Sequence, residues 1–169
     1  GIINRANNAI NTLKERKLID SDSLEILRSV VNQRENGQTG ALKQINPELK
    51  ARIFKELVRF CSDKNPVHVE NSVCALGFFS EDDIVVENTL VKCCSHYSSS
   101  VRFFAVSSLE NIGTINENEK NTLHALLWNF NRNSLEELPE LKEKALEIAM
   151  VSLKKLCCAN DINYRVDAV

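Results

Sequence analysis

The side chains best suited to binding a metal ion lie in one short segment, where Cys93 and Cys94 are followed closely by His96. Thiolates and imidazoles are good zinc ligands, but structural zinc sites usually separate paired cysteines by at least two residues. Adjacent cysteines on a helix instead point about 100° apart. Cys94 also aligns with Cys61 and Leu127 in an internal repeat of the sequence. We therefore interpret these cysteines as core residues and predict no metal site and no cofactor.

Catalytic groups are also hard to place in this sequence. His124 aligns with Val58 and Val91 in the repeat, so we predict a packed histidine rather than a general base. No serine, cysteine or carboxylate lies at a spacing that would pair a nucleophile with it. The glycines Gly37 and Gly40 are isolated and do not form a phosphate-binding loop. We predict that the protein is not an enzyme.

Composition and charge exclude further classes of protein. The chain has 169 residues, 43% of them hydrophobic and 26% charged, which is typical of one globular domain. The net charge is −2 and no cluster of lysine and arginine stands out, which disfavours nucleic-acid binding. The first twenty residues lack the apolar core of a secretory signal, and no apolar run could span a bilayer. We therefore expect a cytoplasmic protein with no membrane association and with its six cysteines reduced.

Hydrophobic residues recur at helical spacing along nearly the whole chain, and no segment favours a β-strand. The predicted fold class is therefore all-α. Asn46-Pro47 and Asn65-Pro66 each combine a capping residue with a proline at the first helical position. The predicted helices cover roughly residues 3–17, 21–34, 47–62, 66–79, 80–97, 99–112, 116–130 and 139–158, with a clear loop at 35–40.

A pattern of small and apolar residues recurs in three of these helices and indicates an internal repeat. Leu57, Leu90 and Leu123 mark its first helices at intervals of 33 residues. Repeated helix pairs bury their apolar faces by stacking on one another, as in solenoid proteins. The predicted core positions of the second helices are Val101, Ala105, Ser108, Leu109 and Ile112 in the middle copy, His68, Ser72, Ala75, Leu76 and Phe79 before it, and Leu141, Ala145, Ile148, Ala149 and Ser152 after it.

The middle copy reads Val101-Arg102-x-x-Ala105-Val106-x-Ser108-Leu109-x-x-Ile112-Gly113, with Gly113 ending the helix. This pattern resembles the second helix of HEAT repeats, V-R-x-x-A-A-x-A-L-G-x-I-G. The resemblance implies a right-handed α-solenoid of about three HEAT-like pairs at residues 46–158, with an N-terminal helical cap at 1–45 and a tail at 159–169, all in one domain. It also implies that Arg102 and Lys142 are structural residues and that the protein binds other proteins.

One exposed face of the second helices is the candidate binding surface. In HEAT-like solenoids the second helices line the concave side, and here the positions opposite Ala105 are acidic with one aromatic residue. This arrangement would suit a basic protein partner, steered by the carboxylates and anchored by the aromatic ring. The predicted partner-binding residues are Glu70, Phe103, Ser107, Glu110, Glu143 and Glu147.

Three functions remain open from the sequence. The first is a non-catalytic protein-binding module with an acidic concave face, and one version of it is an immunity protein that neutralises a basic toxin. The second is a nucleic-acid binder or a HEAT-like DNA glycosylase, which would need a basic groove. The third is a structural scaffold or adaptor. Trp128, the only tryptophan, is predicted to pack against a neighbouring helix.

Overall fold

The computed structural model describes residues 1–33, 40–79, 83–128 and 141–158. Within these ranges every regular element is a helix, which confirms the all-α fold class. A short 3-10 helix covers Gly40–Gln44. The α-helices of these ranges, α1 to α8, are Ile2–Glu15, Ser21–Gln33, Pro47–Phe60, Pro66–Phe79, Ile84–Cys93, Ser99–Asn111, Glu117–Trp128 and Glu143–Cys158. Most of the predicted loop at 35–40 and the predicted tail at 159–169 lie outside the described residues.

The chain forms two compact units, Gly1–Val86 and Glu87–Val169. In the first unit, α1 packs against α2 and α4, and α3 also packs against α4. Ala6, Ala9, Ile10 and Leu13 form the buried face of α1. The segment predicted as a cap therefore supplies part of this unit's core.

Asparagine capping begins both helices of the predicted first pair. Asn46 accepts a hydrogen bond through Oδ1 from the backbone N–H of Glu48 at 2.8 Å. Asn65 accepts one in the same way from the N–H of Val67 at 3.0 Å. Each cap satisfies a donor that has no partner within the helix, a contribution of about 1 kcal/mol. The sequence prediction for the starts of α3 and α4 is confirmed.

The first turn of α4 differs from the repeat alignment. His68 was predicted to occupy a core position, but its side chain is exposed and its Nδ1 lies 3.4 Å from Oδ2 of Asp63. Val69 is buried instead. The core position assigned to His68 is therefore wrong, because the preceding turn supplies a carboxylate that holds the imidazole at the surface.

One predicted helix boundary also differs, at the end of α5. The α5 helix begins at Ile84, where Asp83 Oδ1 accepts a bond from the N–H of Val85 at 2.8 Å, and the predicted start at Ser80 is outside the described residues. It ends at Cys93 rather than near Tyr97, because the hydroxyl of Ser95 donates to the carbonyl of Lys92 at 2.9 Å and turns the chain. The α8 helix begins at Glu143, and the start predicted near Pro139 is outside the described residues.

In the second unit, α7 packs against both α6 and α8. Val101, Ala105, Ser108 and Leu109 are fully buried on α6, as the repeat pattern predicts. The helix ends at Asn111, and Gly113 follows its C-cap with a φ of +83°, a left-handed conformation that glycine adopts without steric cost. The N–H of Thr114 donates back to the carbonyl of Leu109 at 3.0 Å, which is the bond of a Schellman motif.

Capping also fixes the start of α7. Asn116 Oδ1 accepts from the N–H of Glu119 at 2.8 Å, and Glu119 Oε1 accepts from the N–H of Asn116 at 3.1 Å. This reciprocal pair is a capping box, which satisfies two backbone donors at once. The predicted helix start at Asn116 is confirmed.

Candidate recognition surface

Four rings from α6 and α7 form an aromatic cluster, which we call the aromatic patch: Phe103, Phe104, His124 and Trp128. The Phe103 ring lies 4.2 Å from the His124 ring, tilted by 30°. It meets Phe104 and Trp128 edge to face, each at a centroid distance of 5.4 Å. Phe103 remains 38% exposed and Trp128 43% exposed. The patch is therefore open to solvent while its rings are held by one another.

Arg102 fixes the helices that carry the patch. Its side chain is completely buried. Nε donates to the carbonyl of Leu127 at 2.7 Å and Nη2 to that of Trp128 at 3.2 Å. Nη1 donates to the carbonyls of His96 and Tyr97 at 2.8 and 2.9 Å. The carbonyls at the end of α7 lack partners within the helix, so the guanidinium acts as its C-terminal cap.

The structure brings together a serine and a histidine that the sequence did not pair. Ser107 Oγ lies 3.3 Å from His124 Nε2. The other ring nitrogen, Nδ1, is buried and has no hydrogen-bond partner among the described residues. A buried N–H without an acceptor is more costly than a bare lone pair, so we assign the proton to Nε2. In that tautomer His124 donates to Ser107 and cannot act as its general base.

The neutral form of His124 is the stable one in this setting. Burial lowers the pKa of its imidazole, and the nearby Lys120 ammonium lowers it further. Both effects disfavour the protonated, positively charged form of the imidazole. The ring therefore serves as a flat, uncharged support for Phe103. This is consistent with the predicted packed histidine.

The predicted acidic residues of the second unit are not gathered at the patch. Glu110 is half-buried two turns after Phe103 on the same helix, with no ion pair to any described residue. Glu143 and Glu147 are exposed on α8. Glu147 lies 3.6 Å from Lys144, which also approaches Glu87 at 3.4 Å. Of the predicted binding residues, Phe103, Ser107 and Glu110 therefore share one face of α6, whereas Glu143 and Glu147 belong to another helix.

Glu70 is not exposed. Only 6% of its surface is accessible, and its carboxylate forms a salt bridge with Arg5 of α1. The exposed position that the repeat alignment predicts for it is wrong, because α1 covers this side of α4. Cys74, one turn further along, is fully buried, and burial raises the pKa of its thiol to about 12.

The cysteines of the predicted cluster belong to the interior. Cys93 and Cys94 are buried, and the Cys94 thiol donates to the carbonyl of Leu90 at 3.4 Å. Burial raises the pKa of Cys94 well above its usual value. Over the described ranges, no group of three or more histidine, cysteine or acidic side chains is placed to hold a metal ion.

No protein-family model, curated protein or solved structure matches this chain. In the part of the chain that the structure describes, no helix is both long enough and apolar enough to cross a bilayer.

Proposed function

We propose that the protein is a non-catalytic protein-binding module and that the aromatic patch is its recognition surface. The observation that carries this proposal is the exposure of Phe103 and Trp128 beside the half-buried rings of Phe104 and His124. Tryptophan and other large side chains supply most of the affinity at protein interfaces. Because neighbouring rings and the Arg102 hydrogen bonds already order the patch, a partner would lose little side-chain entropy on binding it.

A basic partner suits the patch best. Aromatic rings such as those of Phe103 and Trp128 attract lysine and arginine side chains through cation–π interactions. Glu110, two turns further along the same face of α6, provides a carboxylate that forms no ion pair with any described residue. In one version of this proposal, binding neutralises the activity of the basic partner, as an immunity protein neutralises a toxin.

The proposed architecture is HEAT-like. Support comes from the packing of α3 on α4 and of α7 on α8, two of the helix pairs that the 33-residue spacing predicts. Gly113 and the buried face of α6 follow the motif, and Arg102 fills a structural role at its position. Helices repeated in this way present side chains of successive pairs to a partner.

Affinity purification from the source organism tests the proposal. The patch variant is Phe103→Ala with Trp128→Ala, and the control is Met150→Ala with Val151→Ala, which removes apolar residues that are exposed elsewhere in the same unit. We expect a basic protein that the wild type and the control capture equally and the patch variant loses. Binding measured with that purified protein should weaken by about thirtyfold in the patch variant.

A charge-reversal variant provides a second test of the proposal, through binding affinity and its dependence on salt. Glu110→Lys should weaken binding and reduce its dependence on salt, because it removes an attraction that ions screen. Thermal unfolding shows whether each variant keeps the wild-type fold. Equal binding by the patch variant and the wild type would refute the proposal. Capture of nucleic acid in place of protein would favour the alternative function.

A further inference from the structure

The first unit has a groove that is lined mainly by cations and apolar side chains. None of its lining residues belongs to the aromatic patch. Its volume is about 540 Å³, within the usual range for small-molecule sites. Lys14 and Lys17 line it from the end of α1, and Arg52 from α3. Leu18 and Leu49, both half-buried, supply apolar surface beside them. We call this cavity the basic groove.

Hydrogen bonds to neutral acceptors hold two of these cations in place. Lys14 Nζ donates to the hydroxyl of Ser21 at 3.1 Å. Arg52 Nη2 donates to the carbonyl of Leu18 at 3.2 Å. Neither bond cancels a positive charge, so both groups remain able to attract an anion. The remaining guanidinium donors of a held arginine are well arranged for a carboxylate or phosphate.

Two acidic residues, Glu15 and Asp20, also line the groove. Asp20 Oδ1 accepts a bond from the N–H of Ser23 at 2.7 Å, so this carboxylate caps α2. That bond, with smaller contributions that include Lys14, lowers the pKa of Asp20. Three cations therefore face two acids, one of which is engaged by a helix N-terminus. The groove has an excess of positive charge.

Lys17 occupies a conformation that normally favours glycine. Its φ is +59°, and its N–H donates to the carbonyl of Lys14 at 2.9 Å in the turn that ends α1. A side chain at such a position costs free energy that glycine would avoid. The chain nevertheless places a lysine there, at the edge of the groove. The conformation itself belongs to the helix end, because the N–H of Leu18 donates back to the carbonyl of Leu13 at 2.9 Å, as in the Schellman motif after α6.

We propose that the basic groove binds a small organic anion. Lys14, Lys17 and Arg52 would contact its carboxylate or phosphate, and Leu18 and Leu49 would contact its apolar part. This inference uses only the first unit and is independent of the function proposed for the aromatic patch. The apolar walls distinguish the proposal from simple attraction of salt ions to a charged surface.

An NMR titration tests the proposal, with hexanoate, acetate and inorganic phosphate as probes at constant ionic strength. We expect saturable shifts of the amide signals of residues 14–20 and of Arg52. Tighter binding of hexanoate than of acetate would show that the apolar walls take part. Tighter binding of phosphate than of acetate would identify phosphate as the preferred head group. If no probe gives saturable shifts in this region, the proposal is wrong.

Substitutions separate binding from folding. Arg52→Gln should weaken the binding of hexanoate by about threefold, the usual effect of one exposed ion pair. Lys17→Gly should weaken it similarly while making the protein more stable, so the loss cannot be attributed to unfolding. Lys55→Gln is the control, because Lys55 is exposed on the same helix as Arg52 but does not line the groove. Equal affinities in all four proteins would overturn the proposal.

Discussion

Arg102 donates a hydrogen bond from Nε to the carbonyl oxygen of Leu127 at 2.7 Å, and this bond joins the start of α6 to the end of α7. Three further bonds from the same guanidinium reach the carbonyls of His96, Tyr97 and Trp128. A single buried side chain thus organises the end of α7 and the turn before α6. The position of the aromatic patch depends on it, since Phe103 follows Arg102 directly and Trp128 is one of its acceptors.

Replacing Arg102 by leucine should therefore destabilise the protein by about 3 kcal/mol or more, because it leaves several buried carbonyls without donors. Arg102→Lys should also be destabilising, since an ammonium cannot reproduce the planar set of donors. Urea unfolding measures both. The control is Lys142→Ala, at the equivalent repeat position, which is exposed and should change stability by less than about 0.5 kcal/mol. Similar losses for Arg102→Leu and Lys142→Ala would contradict this account.

Lys17 and Gly113 follow the ends of α1 and α6, and their conformations predict opposite changes in stability for Lys17→Gly and Gly113→Ala. Both residues have positive φ, at +59° and +83°. Lys17→Gly should stabilise the protein by about 1 kcal/mol, because it removes a steric cost from the folded state. Gly113→Ala should destabilise it by about 1 kcal/mol through the backbone alone, since an added Cβ would meet no atom within 4 Å. Denaturant titration of both variants decides the matter, and effects of the same sign would show that the conformations are misassigned.

Local signals in the sequence were sufficient for the starts of α3, α4 and α7 and for the end of α6. Asn46, Asn65, Asn116 and Gly113 each act within a few residues of chain, so their effects can be inferred without knowledge of the tertiary fold. The buried face of α6 was predictable for the same reason, because helical periodicity alone determines which side chains share a face. The exposure of Phe103 followed from that periodicity and is confirmed.

The repeat alignment failed where a helix outside the repeat takes part in packing. It treats Glu70 of α4 and Phe103 of α6 as residues of one exposed face, but α1 covers α4 and pairs Arg5 with Glu70. Nothing in the sequence of α1 indicates which helix it covers. The contact of His124 with Ser107 and Phe103 was also out of reach, because it depends on how α7 lies against α6.

The salt bridge between Arg5 and Glu70 predicts unequal effects of removing either partner. Glu70 is nearly buried, whereas Arg5 is partly exposed to solvent. Arg5→Ala leaves a buried carboxylate without its cation and should cost about 2 kcal/mol. Glu70→Gln leaves a guanidinium that water can still solvate, and should cost about 1 kcal/mol. Unfolding by urea measures both, and a larger loss for Glu70→Gln would show that the carboxylate is not the desolvated partner. Neither change should alter binding at the aromatic patch.

The environment of His124 predicts a pH dependence of stability. Its pKa lies below the ordinary value of 6.5, first because of burial and then because of Lys120. The unfolded chain therefore binds a proton at His124 more readily than the folded chain does. This contribution makes the folded state less stable as the pH falls from above 6.5 toward the lower folded pKa.

Comparison of wild type with His124→Phe tests this dependence, because phenylalanine keeps a ring against Phe103 but cannot be protonated. The free energy of unfolding of the wild type, relative to that of the variant, should decrease between pH 7 and pH 5 in denaturant titrations. Lys120→Gln should reduce this decrease, since it removes one of the two causes of the lowered pKa. Parallel curves for wild type and His124→Phe over this range would mean that the imidazole is solvated as freely in the folded chain as in the unfolded one, and that it does not support Phe103 as a neutral ring.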